Sequence, residues 1–227
     1  MNKQKPDKTS NWQNNATRIT ATGFGILCGL TGLIAGFFEI LQGNTATESL
    51  IVSTIGPEYA MWRTYGITEL METYSAITII PNFLYTGITA IITSSIVTIF
   101  SIKSLHKKHG ATIFFLLSIT QLLVGGSFVM DLAIITTLVA TRINKPLEWW
   151  KNHLSFKTRK RLAKTWTGSL IAYSIISATM LTTTILGVNE ESYQEFLGIL
   201  AGLMFIPLLL MIIGGFSKDI QRRENDN

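Results

Sequence analysis

The stretch TATGFGILCGLTGLIAGFFEILQG, residues 20–43, decides how the chain is read. It carries no charge before Glu39, and about 20 apolar residues suffice to cross a hydrocarbon core ~30 Å thick. Gly25, Gly29, Gly32 and Gly36 recur at helical spacing. At 100° per residue they fall within about 60° of one another, and Glu39 and Gly43 continue the line. A face of small residues lets another helix approach closely, so the carboxyl at its end is expected to point into protein rather than lipid. An ionisable group in that position is costly and is by default a functional-site expectation.

Working outward, apolar runs cover roughly 20–42, 76–102, 111–142, 166–187 and 196–216. The third run has Gly125-Gly126-Ser127 at its middle. As one helix it would be about 48 Å long, more than tilt absorbs, so it reads as two helices around a turn. The expected fold is all-α: a polytopic membrane helix bundle of six transmembrane helices at 20–42, 76–102, 110–125, 128–142, 166–187 and 196–216. A re-entrant hairpin at 111–142 is the alternative, leaving four full spans. The composition agrees with lipid as the solvent. Of the 227 residues 47% are hydrophobic and 15% charged, against about 25% charged in soluble domains, and mean hydropathy is +0.34.

Charge placement orients the bundle. With the amino terminus inside, every one of the 19 basic residues except Arg63 falls on one side. They lie at 3–18, 103–108, 142–164 and 218–223. The positive-inside rule then places both termini in the cytoplasm and the protein in the cell membrane. The same segregation argues against nucleic acid as the partner of a chain with net charge +5, because the basic residues sort by membrane side rather than onto one folded surface. The first apolar run is too long for a signal-peptide core of about 7–15 residues and is expected to be retained. The sequon Asn15-Ala16-Thr17 falls on the inner side and is read as chance.

Residues 1–17 are polar and expected to be disordered, 18–216 form one transmembrane domain, and 217–227 form a cytoplasmic tail. The outside segment 43–75 gathers Glu48, Glu58, Glu69 and Glu72 with Tyr59, Trp62, Tyr65 and Tyr74. It reads either as an interfacial segment with its aromatics at the headgroups, or as a lid that uses Trp62, Arg63, Glu69 and Glu72. The loop 143–165 contains Trp149 and Trp150 followed by Lys157, Arg159, Lys160 and Arg161. This reads as an interfacial helix drawn to anionic lipid, each basic residue contributing about 1 kcal/mol; docking of a cytoplasmic partner is the alternative. Gly198 and Gly202 repeat the small-residue spacing as a second packing face. Pro81 and Pro207 should kink their helices unless they stand at helix ends.

Glu39, Gln42, Asn82, Gln121 and Asp131 come from different parts of the sequence, yet the expected topology puts them at one outer level. Two carboxyls and three amides make an acceptor-rich set suited to a metal cation, an ammonium group or a proton relay. The competing reading is structural: interhelical hydrogen bonds worth about 0.6 kcal/mol each. Enzyme signatures are sparse. His106, His109 and His153 fall in loops, which argues against an intramembrane zinc or haem site. The single cysteine, Cys28, permits neither an intrachain disulfide nor a cysteine-based metal site. There is no P-loop or Rossmann glycine pattern, and no cofactor is expected.

At Phe38-Glu39-Ile40-Leu41-Gln42-Gly43 and Ile80-Pro81-Asn82-Phe83-Leu84, and at the Trp149-Trp150 loop, the chain resembles small multi-pass prokaryotic membrane proteins of unassigned function. The resemblance implies no residue roles. The leading expectation is a non-enzymatic membrane protein acting in transport, ion coupling or small-ligand sensing through an outward-facing acidic pocket. A scaffold subunit of a membrane complex is one alternative. The other is a membrane enzyme acting on lipid, with Glu39 or Asp131 as general acid/base. A chain this short is expected to work as a homo-oligomer or beside a partner membrane subunit.

Overall fold

The computed structural model describes residues 14–47, 49–53, 75–126, 130–186 and 191–226. The elements run α1 (Asn15–Leu41), β1 (Ile51–Ser53), β2 (Ser75–Ile77), α2 (Phe83–Lys103), α3 (Gly110–Leu123), α4 (Met130–Ala140), α5 (Glu148–His153), α6 (Phe156–Leu186) and α7 (Glu191–Asp226). The protein is mostly helical. Among the described residues three helices are long and apolar enough to cross a membrane: α1, α2 and residues 198–225 of α7.

The surface identifies the solvent. On α2 the buried residues are Thr86, Gly87, Ala90, Ser94, Val97 and Ser101, while Ile88, Ile92, Ile96, Ile99 and Ile102 are exposed. A soluble helix would invert this arrangement, burying its isoleucines and showing its serines and threonines. In lipid, isoleucine outside carries no hydrophobic penalty, and small residues inside let helices close on one another.

Helix α1 is the central element, packed chiefly on α2 and also on α4 and α7. It runs antiparallel to α2, since Gly25 meets Ser101, Gly29 meets Thr98 and Gly36 meets Gly87. It stops where Gly43 turns left-handed (φ 74°), with Gly43 N donating to Ile40 O at 3.0 Å, a termination that glycine accepts at no steric cost.

The expected span at 76–102 is helical only from Phe83. Ser75–Ile77 instead pair antiparallel with Ile51–Ser53, placing Ile51 opposite Ile77 and Val52 opposite Ala76. The β-branched run Ile77-Thr78-Ile79-Ile80 favours an extended chain, and Pro81 disfavours helix in the residue before it. Asn82 then caps α2, its side chain accepting from Tyr85 N at 3.3 Å. The run at 111–142 does break at the glycines, where Gly125 has φ 91°. The two helices it yields, however, are only 14 and 11 residues long, about 21 and 17 Å against a ~30 Å core. Helix α6 contains the expected span 166–187 apart from its last residue, and α7 contains 196–216. Pro207 stands inside α7 rather than at its end.

One terminal expectation is corrected at the end of the bundle that bears most of the basic residues. Asn14–Thr17, assigned above to a disordered arm, are ordered, and Asn14, Ala16 and Thr17 are buried. Residues 217–226, the expected cytoplasmic tail, form the last turns of α7. The two ends are tied together. Asp219 accepts from Ala16 N at 2.9 Å, Thr17 N at 2.8 Å and Thr17 Oγ1 at 2.7 Å. A side chain on the last helix thereby caps the first, meeting the unpaired N–H groups and the positive end of the helix dipole. Asn14 donates to Arg142 O at 2.6 Å and Lys145 O at 3.0 Å and accepts from Arg223. Trp166 Nε1 donates to Thr20 Oγ1 at 3.1 Å. Removing this cap by Asp219→Ala should cost about 2 kcal/mol or more, because it strands two helix N–H groups as well as the Thr17 hydroxyl. A lowered unfolding midpoint in detergent, with Asp219→Asn intermediate, is the expected result.

Candidate functional site

The glycines of α1 determine where its carboxyl goes. A Cβ added at Gly36 would lie 2.8 Å from Gly87 O and 3.0 Å from Ala90 Cβ; at Gly29 it would lie 3.0 Å from Ser94 O. All three distances fall below normal contact, so α1 and α2 approach at a separation that side chains would forbid. Gly32 is the meeting point of three segments. Beside it stand the Ser94 hydroxyl of α2, the Gln121 amide of α3 and Gly126 O, the last 2.8 Å from an added Cβ.

Two turns further along α1, Glu39 is fully buried. Neither of its carboxyl oxygens has a hydrogen-bond partner among the described residues. They lie against Gly125, where an added Cβ would be 2.6 Å from Oε1 and 2.7 Å from Oε2, beside the Thr86 methyl. The nearby hydroxyls are committed elsewhere. Thr86 Oγ1 donates to Ile80 O at 3.1 Å and lies 3.0 Å from Thr78 Oγ1, and Thr78 Oγ1 accepts from Ile80 N at 3.0 Å. The turn at 124–126 is held over the carboxyl by the strands: Gly125 N donates to Ile77 O at 2.9 Å and Ile79 N to Leu123 O at 3.0 Å.

Gln121 is buried at the same turn. Its Nε2 donates to Cys28 O at 2.9 Å and to Gly126 O at 3.1 Å, which fixes its oxygen as the free end. Gln121 Oε1 and Ser94 Oγ are, like the Glu39 oxygens, buried without partners. Four unsatisfied oxygens thus lie along this face, those of Glu39 beside Gly125 and those of Ser94 and Gln121 near Gly32, where each costs about 1–3 kcal/mol when left unmet. A void of about 10 Å³ borders Gln121, Cys28, Ser118 and Gly126, close to the minimum for one water.

Of the five residues singled out in the sequence, the structure brings Glu39 and Gln121 to one turn and sends the others elsewhere. Asn82 caps α2 and donates to Asn44 Oδ1 at 2.7 Å. Gln42 stands at the end of α1, half-buried, and Asp131 is exposed at the start of α4. Trp62, Arg63, Glu69 and Glu72 lie outside the described residues. Ser94, Thr86 and Gly125 were not singled out. Ser94 and Thr86 are hidden among the many hydroxyl residues of α2, and Gly125 was read only as a turn. Gly198 and Gly202 meet no atom within 4 Å and so pack against nothing described in this chain.

Among the basic residues, Lys157, Lys160 and Arg161 are exposed. Arg159 is not available to lipid as expected: it is buried and donates to Glu224 at 3.0 Å, while Lys151 stands 3.7 Å from the same carboxylate. Trp150 packs on Phe216 with ring centroids 5.3 Å apart, and Trp149 is exposed. His106 is pushed below the ordinary histidine range by partial burial and by the Arg18 and Lys107 charges. No group of three metal-ligating side chains occurs among the described residues.

Alanine substitutions should separate the two glycine faces. Gly32→Ala is expected to cost about 1–3 kcal/mol by overpacking, and Gly125→Ala should cost more, because it adds roughly 1–2 kcal/mol of left-handed strain. Gly198→Ala should be neutral in thermal unfolding of the detergent-solubilised chain. Compared with family models, with curated proteins and with solved structures, the chain matches none, so the role of this site rests on its own chemistry.

Proposed function

We propose that the chain is a multi-pass protein of the cell membrane, with both termini cytoplasmic and crossings at α1, α2, α6 and α7, that couples to an ion or small cationic ligand through the Glu39 site. The observation that carries this reading is a carboxyl buried between helices with neither oxygen satisfied. A structural carboxyl in lipid is normally bonded across helices, whereas one left without donors is suited to acquire its partner from outside the protein. The short helices α3 and α4 favour a broken-helix pair, and irregular backbone at membrane depth is tolerated where it lines a protein-enclosed site. The orientation rests on the basic residues gathered at the end of the bundle opposite the strands.

A second reading has its own support. The face of α7 around Gly198 and Gly202 is unpacked and carries exposed Ile199, Leu203 and Ile206, as expected if a partner membrane subunit or a second copy covers it. A lipid-directed enzyme has less support, since Glu39 is fully buried against Gly125 and Thr86 among the described residues.

In proteoliposomes, cation or proton flux should fall to background in Glu39→Gln while membrane abundance is unchanged. Asp131→Asn, at an exposed position, should retain most of the flux. Loss of abundance in Glu39→Gln would mark the carboxyl as structural. Reporter fusions after Lys164 and at the carboxyl end should both report the cytoplasm, and an outside signal from either rejects the orientation.

A further inference from the structure

We infer that the ligand of the Glu39 carboxyl is a proton, carried as the neutral acid, rather than a metal cation or an organic ammonium group. This rests on the ion-coupling reading above and names its ion.

Volume and coordination carry the argument. A hard metal cation needs about six oxygen ligands at close range. Beside the Glu39 carboxyl, the Thr86 hydroxyl is turned to Ile80 O, and Gly125 and the Thr86 methyl lie against it. The other unmet oxygens, Gln121 Oε1 and Ser94 Oγ, belong to groups beside Gly32, two turns back along α1, so among the described residues the carboxyl's own two oxygens are the ligands offered at Gly125. An organic ammonium ligand needs a cavity against the carboxyl, whereas the void of about 10 Å³ by Gln121 is no larger than one water needs and is not lined by Glu39. A proton needs no volume and no further ligands.

Charge points the same way. An ionised carboxylate in so dry a setting would require a fixed cation or a set of hydrogen-bond donors, and among the described residues no element packed around it supplies either. On α1 no charged residue lies between Arg18 and Glu39, α2 carries none before Lys103, and residues 124–126 carry none. Asp131, on α4, is acidic and exposed. Among the described residues the carboxyl is in neither of the salt bridges, both of which involve Glu224.

The test is infrared spectroscopy of the full chain in lipid nanodiscs. The wild-type protein should show a protonated carboxyl C=O band near neutral pH that shifts in heavy water. The band should vanish in Glu39→Gln, persist in Asp131→Asn, and be unchanged by sodium, potassium, calcium or tetramethylammonium chloride. The heavy-water shift in the wild type needs no variant, so the proposal stays testable if Glu39→Gln folds poorly. Absence of the band overturns the inference. Loss of the band on adding one of those salts also overturns it, because that cation then displaces the proton, while ion coupling survives. A band at Glu39 without any Glu39-dependent flux leaves the proton in place and removes the coupling.

Discussion

The approach of α1 to α2 across Gly25, Gly29, Gly32 and Gly36 sets the geometry on which the other contacts rest. Each of these positions would collide with a neighbour if it carried even a methyl group. With the backbones this close, van der Waals contact and lipid release can hold two helices that share no hydrophobic drive to associate. The same closeness fixes what lies beyond. Gly32 admits the Gln121 amide and the Gly126 carbonyl to the α1 surface, and Gly36 lets α2 lie flat enough that Glu39, one turn on, ends beneath Gly125.

Two features were legible in the sequence for a physical reason each. The glycine line is visible because helical periodicity is local, and the chain break at Gly125-Gly126 because few other residues interrupt an apolar run. The strand at Ser75–Ile77 was obscured by hydropathy, which weighs Ile77, Ile79 and Ile80 alike whether they stand in a helix or a strand. Pro81 and the β-branched run carried that information, but as a boundary and not as an apolar count.

What the sequence could not reveal were pairings between distant segments. Asp219 capping residues 16 and 17 spans the whole chain, and nothing near Asp219 signals it. Arg159 looked like one of a cluster of lipid-facing cations until Glu224 was placed beside it. The outer polar set was judged by depth alone, and depth does not fix direction. Asn82 spends its side chain on a helix cap and Asp131 turns outward, so only Glu39 and Gln121 share a site.

The two buried carboxyls bear directly on how Glu39 should be understood. Asp219 is almost as buried, at 4% exposure, yet it receives two backbone N–H groups and a hydroxyl. This is the usual solution for an anion removed from water: donors arranged around it before it arrives. The described donors of the neighbouring segments are turned away from Glu39, with the Thr86 hydroxyl bonded to Ile80 O and the Gln121 amide to Cys28 O and Gly126 O. The fold can build a carboxylate site and does so at the basic end of the bundle. At the strand end it surrounds a carboxyl with glycine and methyl instead, an environment that suits the acid when neutral and penalises it when charged.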